Sequence, residues 1–355
     1  MRNYVIETIN ITKRFSRFNP GPNSNAQDMW FDYLMSLLTK RWKGHFVSKR
    51  ADIIAVDHIN LQVYKGEFFG ILGPNGAGKT TLIKMLSSIL TPSEGTAKIN
   101  GYDLLKENNQ VKASVNVVQS GGWLGFDYAV SIKWSLEFWA KLYGLSGKEA
   151  QEKVKKALKI VQLEEKAEEQ PGSLSSGMRQ RLAIAKGLLV YTPIFLLDEL
   201  TVGLDSISAN HIRDFIKHEL NQKMGQTVIF TTHIMSEAEQ LCDRVAILNK
   251  GKVSACNTPQ NLKKELKGHR ILLLELKNIN PSVVEKLNKQ EYVERMIDRV
   301  NEDKTGTLRI QIKDSDEIEK KVLDFLIGEN CKIISRKIDE PNLEDVFIYL
   351  TGRRL

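Results

Sequence analysis

The run Gly73-Pro74-Asn75-Gly76-Ala77-Gly78-Lys79-Thr80-Thr81 is the part of this 355-residue chain whose residue types and spacing most directly imply chemistry. Its glycines let the backbone turn successive N–H groups inward around an anion. An apolar run, Phe68 to Leu72, precedes it, and an amphipathic stretch, Leu82 to Leu90, follows. Strand, glycine-rich loop and helix in that order place the positive end of a helix dipole behind the loop. Lys79 then reaches the β- and γ-phosphates of a nucleoside triphosphate, and the Thr80 hydroxyl is placed to ligate Mg²⁺. The alternative is a chance glycine turn, and the flanking strand and helix count against it.

Other parts of the sequence supply groups that suit such a ligand. The apolar run Ile194 to Leu197 ends in Asp198 and Glu199. A buried strand delivering two carboxylates at its C-terminal end suits Mg²⁺ chemistry, with Asp198 on the metal and Glu199 activating the attacking water. A solvated strand end reads the same way, so this pair takes its meaning from the loop. The strand Thr227 to Thr232 ends at His233, which could bond the γ-phosphate and steady that water. Finally, Ser173 to Arg181 opens a helix, with Ser175 and Gly177 at its N-terminus, a place made for phosphate oxygens.

In this order the motifs resemble those of the nucleotide-binding domains of ABC (ATP-binding cassette) proteins. The family signature Leu-Ser-Gly-Gly-Gln corresponds to Leu174-Ser175-Ser176-Gly177-Met178. The resemblance implies that Gln119, after the strand Val115 to Val118, serves beside the metal and water. It implies that Asp205, in Gly203-Leu204-Asp205, belongs to the D-loop, that His233 is the switch histidine, and that Phe15 stacks on adenine. It covers roughly residues 5 to 255, less one insertion. Ser176 and Met178 depart from the signature but leave the serine and glycine that would touch phosphate. Leu200 stands where the family has proline, which would loosen the turn without removing a ligand. The implied fold is α/β: a P-loop NTPase cassette with a mixed sheet core, an antiparallel β-subdomain and a helical subdomain, plus a small C-terminal α+β domain.

Composition agrees with this reading. The chain is long enough for a full α/β core and a smaller second domain, and 42% of it is hydrophobic. No apolar run approaches the ~20 residues that span a bilayer, and the N-terminus lacks the apolar core of a signal peptide. Cys242, Cys256 and Cys331 show neither metal spacing nor a disulfide framework, which points to a reduced, cytosolic setting. The net charge of +8 permits contact with nucleic acid or anionic lipid, but a solvated surface accounts for it, and no nucleic-acid partner is expected.

The expected domains are 1–255 for the cassette, with an insertion at 16–50 and a helical subdomain at 119–188, and 256–355 for the accessory domain. In the insertion, Trp30, Leu34, Leu37, Leu38 and Trp42 follow helical spacing and end in a basic cluster. Such a helix either lies on a membrane surface or packs on the domain's own sheet; the sequence allows both. Trp134, Phe138 and Leu142 form one helical stripe beyond Gln119, and Val154, Leu158 and Val161 another. Trp123, Leu124 and Phe126, just past Gln119, suit either a docking groove or core packing. The tail reads as βαββαβ with a closing helix, a ferredoxin-like two-layer unit. Its strands are expected at Arg270–Leu276, Tyr292–Arg299, Thr307–Lys313 and Lys332–Ile338. Its ending resembles the C-terminal extension of ATPase subunits from drug- and polyketide-exporting ABC transporters.

What the resemblance implies is an ATP hydrolase of an exporter, using ATP and Mg²⁺ at the cytoplasmic face of the membrane. Its partners would be separate transmembrane permease subunits and a second cassette, the same chain or a related one. A soluble ABC ATPase outside transport and the ATPase of an importer are the alternatives. The first would carry two cassettes in tandem, and this tail does not look like an importer's β-rich extension.

Overall fold

The computed structural model describes residues 3–17, 51–121, 125–266 and 268–352. The insertion beyond Arg17, with its expected helix, lies outside the described residues, as do Trp123 and Leu124. A six-stranded sheet forms the centre, in the order β11 (Lys252–Asn257), β10 (Arg244–Asn249), β4 (Phe68–Leu72), β9 (Thr227–Thr232), β8 (Ile194–Asp198) and β7 (Val115–Gln119). Neighbours from β10 to β7 run parallel, and β11 is antiparallel to β10, so the sheet is mixed. Strands β4, β8 and β9 are buried at every residue. That is why they read as continuous apolar runs rather than alternating ones. Alternate residues feed two cores: Phe68, Leu72, Phe195 and Phe230 on one face, Phe69, Ile71, Leu196 and Ile229 on the other.

An antiparallel sheet of β1 (Tyr4–Arg17), β2 (Ala51–Ile59), β3 (Gln62–Tyr64), β5 (Glu94–Ile99) and β6 (Tyr102–Asp103) packs into the second core. β1 is longer than the expected Tyr4 to Ile11 because it pairs with β2 as far as Arg17↔Ala51. The helical subdomain contains helices Ile132–Leu142 and Gly147–Ile160, followed by the helix Ser176–Gly187. Leu136, Ala140, Val154, Leu158, Val161 and Leu182 join the first core. The stripe Trp134, Phe138, Leu142, however, points outward, at 52%, 46% and 60% exposure. Periodicity finds a face but not its orientation; Ile132, Leu136 and Ala140 are the buried one.

The tail has the expected βαββαβ order: β12 (His269–Lys277), helix Pro281–Asn288, β13 (Arg295–Val300), β14 (Thr305–Lys313), helix Asp316–Gly328 and β15 (Lys332–Asp339). Its strands form one antiparallel sheet in the order β13-β14-β12-β15. Residues of both helices and of the sheet share one apolar cluster that is separate from the two cassette cores. Val293 is buried in that cluster from a turn, donating its N–H to Gln290, so β13 starts later than the apolar residues suggest.

The closing helix Leu343–Thr351 departs from the expectation of a self-contained tail. Leu343, Val346 and Phe347 belong to the first cassette core, together with Met235, Ala238 and Leu262. From the same helix, Asp345 accepts from Arg309 of β14, whose guanidinium also pairs with Asp339. Asp345 further completes a capping box with Asn342. The helix is therefore a wedge joining the tail sheet to the cassette. Likewise, β11 is an edge strand of the central sheet and reaches Asn257, two residues past the expected boundary.

Candidate functional site

The expected chemistry gathers where the parallel strands end. Gly73 follows β4, His233 follows β9, Glu199 follows β8, and Gln119 closes β7. The register pairs Gln119 with Asp198 and Asp198 with Thr231, and the Gly73 N–H donates to the Thr232 carbonyl at 3.3 Å. The C-terminal edge of such a sheet is where ligands of open α/β folds bind. Here one edge brings four of the predicted residues together from four strands.

The loop turns into the helix Lys79–Leu86 at Gly78, whose φ of 105° and the Ala55 carbonyl 2.2 Å from an added Cβ both require glycine. Pro74, Asn75, Gly76, Gly78, Lys79, Thr80, Thr81, Ala55 and Glu199 line a cleft of about 280 Å³. Lys79 is buried, donating to the carbonyls of Gly73 (2.7 Å) and Pro74 (3.1 Å). Its ammonium also lies 3.0 Å from Glu199 Oε1. His233 Nδ1 is 3.6 Å from the same oxygen and is buried without a hydrogen-bond partner among the described residues. Lys79, Glu199 and His233 thus converge on one point.

The carboxylates are held by a residue that sequence reading passed over. The Thr231 hydroxyl donates to Asp198 Oδ1 (2.6 Å) and accepts from the Glu199 N–H (3.1 Å). Two threonines ending an apolar strand were the only signal. Glu199 itself has φ 53°, a left-handed conformation that costs a non-glycine residue about 1–2 kcal/mol. Leu200, in the same turn, is fully buried in the first core.

Oxygen donors suit a hard cation. Thr80 borders the cleft, and Asp198 has a second carboxylate oxygen beyond the one bound to Thr231. No cluster of three or more His, Cys, Asp or Glu exists among the described residues. This donor set fits Mg²⁺, which takes one or two carboxylates and completes its shell with phosphates and water.

Phe15 pairs with Ile53 across β1 and β2, so both side chains share a face, and the pairing becomes irregular at Ala55, which Lys13↔Val56 and Arg14↔Ile54 leave unpaired. Phe15 is partly exposed, with the Lys13 ammonium 5.5 Å from its ring centroid.

Ser175 and Gly177 lie elsewhere. Ser175 N-caps the helix Ser176–Gly187, accepting from the Met178 N–H at 3.3 Å. A Cβ on Gly177 would stand 2.9 Å from the Ser208 hydroxyl, so glycine lets the two helices meet. Asp205 N-caps the helix Ser206–Phe215 by accepting from Ile207 and Ser208. Those bonds, the Ser208 N–H first, hold its carboxyl below the ordinary carboxylate value. Ser175, Gly177, Met178, Arg181, Ser208 and His211 border a second cleft of about 210 Å³. Among the described residues, none lines both clefts. Phe126, of the segment past Gln119, is buried against the signature helix, with the Lys186 ammonium 5.9 Å from its ring centroid; for this residue core packing is the outcome.

Comparison with known proteins places this geometry. Residues 56–202 match the ABC transporter family, and residues 258–351 match the family "ATP-binding protein DrrA1-3-like, C-terminal domain". The linearmycin resistance ATP-binding protein LnrL of Bacillus subtilis (strain 168) is 34% identical over 84% of this chain and 94% of its own length. The Nod factor export ATP-binding protein I of Neorhizobium galegae is 32% identical over 86% of this chain and 82% of its own. Among solved structures, the dimeric MJ0796, a bacterial ABC transporter cassette, superposes with a TM-score of 0.55 at 25% identity, covering 71% of this chain and 98% of that one. The chain belongs to the ABC transporter family, as an ATP-binding and ATP-hydrolysing cassette.

Proposed function

We propose that the chain is the ATPase subunit of an exporter, working as a pair of cassettes beneath separate membrane-spanning permease subunits. The observation that carries the pairing is the separation of the two clefts: at the phosphate loop and at the signature, no described residue lines both. Each half becomes a complete site only if two chains meet head to tail, with ATP between one loop and the opposite signature. ATP then adds contacts in the closed state alone and shifts the population toward closure.

In this reading the loop N–H groups cradle the phosphates and Phe15 stacks on the base. An entering polyphosphate offers the Lys79 ammonium stronger acceptors than Glu199 and the two loop carbonyls, which frees the carboxylate. Glu199 takes a proton from water, while His233 and Gln119 orient that water and the γ-phosphate. Thr80, Asp198 and Gln119 would hold Mg²⁺, which neutralises charge on the transferring phosphoryl group. Hydrolysis reopens the pair, and the cycle drives the permease between its two states. Export is supported by the tail's family match and by the printed roles of the two relatives, resistance and Nod factor export. The exposed stripe Trp134, Phe138, Leu142 offers an apolar face for the permease. A site at the cytoplasmic face of the membrane follows from that partnership.

Complementation tests the pairing. Lys79→Ala and Ser175→Arg chains should each be inactive alone, because every site then lacks either its loop or its signature. Mixed, they form some pairs with one intact site, and ATPase activity should return. A mixture as inactive as its components contradicts the head-to-tail pair of identical chains. For export, inside-out vesicles holding the chain and its permease should accumulate cargo with ATP, and Lys79→Ala should abolish this; cargo leaving the vesicles on ATP addition would mean import.

A further inference from the structure

The turn that carries His233 is braced by a largely buried chain of polar side chains. Thr232, the last residue of β9, is buried. Its hydroxyl donates to Glu237 Oε2 at 2.7 Å and accepts from the Ile234 N–H at 2.9 Å, so it bridges from one side of His233 to the other. Glu237 lies on the helix Met235–Leu241 and has 0% exposure. Its second oxygen accepts from Arg213 Nη1 at 2.8 Å. Arg213 sits on the helix Ser206–Phe215, which Asp205 caps, and its other Nη bonds Asn210 on that helix. A hydrogen-bonded chain therefore runs from the helix begun by Asp205 through Arg213, Glu237 and Thr232 to the backbone on both sides of His233.

An ion pair with one partner fully buried, as Glu237 is here, is weak evidence for stability, because an apolar pair of similar volume would often serve as well. What it does supply is directionality. Hydrogen bonds fix the Thr232 rotamer and the Ile234 N–H, which apolar packing would leave free to shift. The residue whose flanking backbone is so held, His233, has an Nδ1 with no hydrogen bond of its own among the described residues, 3.6 Å from Glu199. We propose that Thr232 and Glu237, tied to Arg213, are positioning residues for His233: they hold its imidazole at the reacting end of the site and link that position to the helix begun at Asp205. This rests on His233 acting in hydrolysis as proposed above. A misplacement of about 1 Å far from the chemistry can cost 10²-fold in rate.

The test compares Thr232→Val, which removes the hydroxyl at nearly equal volume, with Thr232→Ser, which keeps it. Glu237→Gln and His233→Ala complete the set, and ATP turnover, KM and melting temperature are measured on the full chain. Expected is a fall in kcat of roughly 10- to 100-fold for Thr232→Val, with KM for ATP within a few-fold of wild type, and kcat kept by Thr232→Ser. Glu237→Gln should lower kcat in the same way; if it fails to fold, the threonine pair still decides. If His233→Ala loses turnover while Thr232→Val keeps it, the positioning inference is overturned and the role of His233 stands. Equal loss in the Ser and Val variants also overturns it. If His233→Ala turns over like wild type, the role assigned to His233 fails first.

Discussion

At the scale of single residues, the candidate site was legible wherever the chemistry dictates a residue type at a fixed spacing. Gly73 to Thr81, Asp198, Glu199 and His233 were identified from residue types, and the structure brings them to one sheet edge. Gln119, Asp205 and Phe15 needed the family resemblance, because a lone glutamine, aspartate or phenylalanine carries no spacing of its own. Thr231, Thr232 and Glu237 were missed for the same reason: their partners lie on other strands or helices, which only the fold reveals. Phe15 yields a prediction at this scale. Phe15→Ala should raise the ATP concentration needed for half-maximal turnover, losing about 1–3 kcal/mol of stacking, with little change in maximal rate. A steady-state titration checks this, and an unchanged KM would move the adenine platform away from the face shared by Phe15 and Ile53.

At the scale of elements, sequence periodicity gave the strands and helices but left their facing to the fold. The helix Ile132–Leu142 shows the limit, since its aromatic stripe is outside and Ile132, Leu136 and Ala140 are inside. Order along the tail was readable because each strand and helix carries its own apolar pattern. The allegiance of the closing helix was not, because Val346 and Phe347 are apolar whichever core receives them. Phe347 fills the first cassette core at 1% exposure, while Asp345 on the same helix binds Arg309 of the tail sheet. Phe347→Ala should therefore cost about 3–5 kcal/mol through lost burial and a cavity. Hydrogen exchange should show the helix Leu343–Thr351 losing protection in both its contacts, with the internal strands of the tail still protected. A helix as protected as in wild type would show that the wedge is not held from the cassette side.

At the scale of the whole molecule, the proposed pairing has one chain present half of two sites. The phosphate loop and Glu199 line one cleft, with Asp198 beside Glu199 in the chain and His233 Nδ1 3.6 Å from its carboxylate; Ser175 and Gly177 line another. The central claim is that ATP joins these halves from two copies and that Glu199 then activates water. Glu199→Gln tests it most directly, because the amide keeps the shape of the side chain and leaves Thr80 and Asp198 untouched. Turnover should fall about 10²–10⁴-fold while ATP still binds. By size-exclusion chromatography the variant should run as a dimer with ATP and Mg²⁺ and as a monomer without them. A Glu199→Gln chain that hydrolyses ATP at the wild-type rate, or that binds ATP with Mg²⁺ and stays monomeric, would contradict the account.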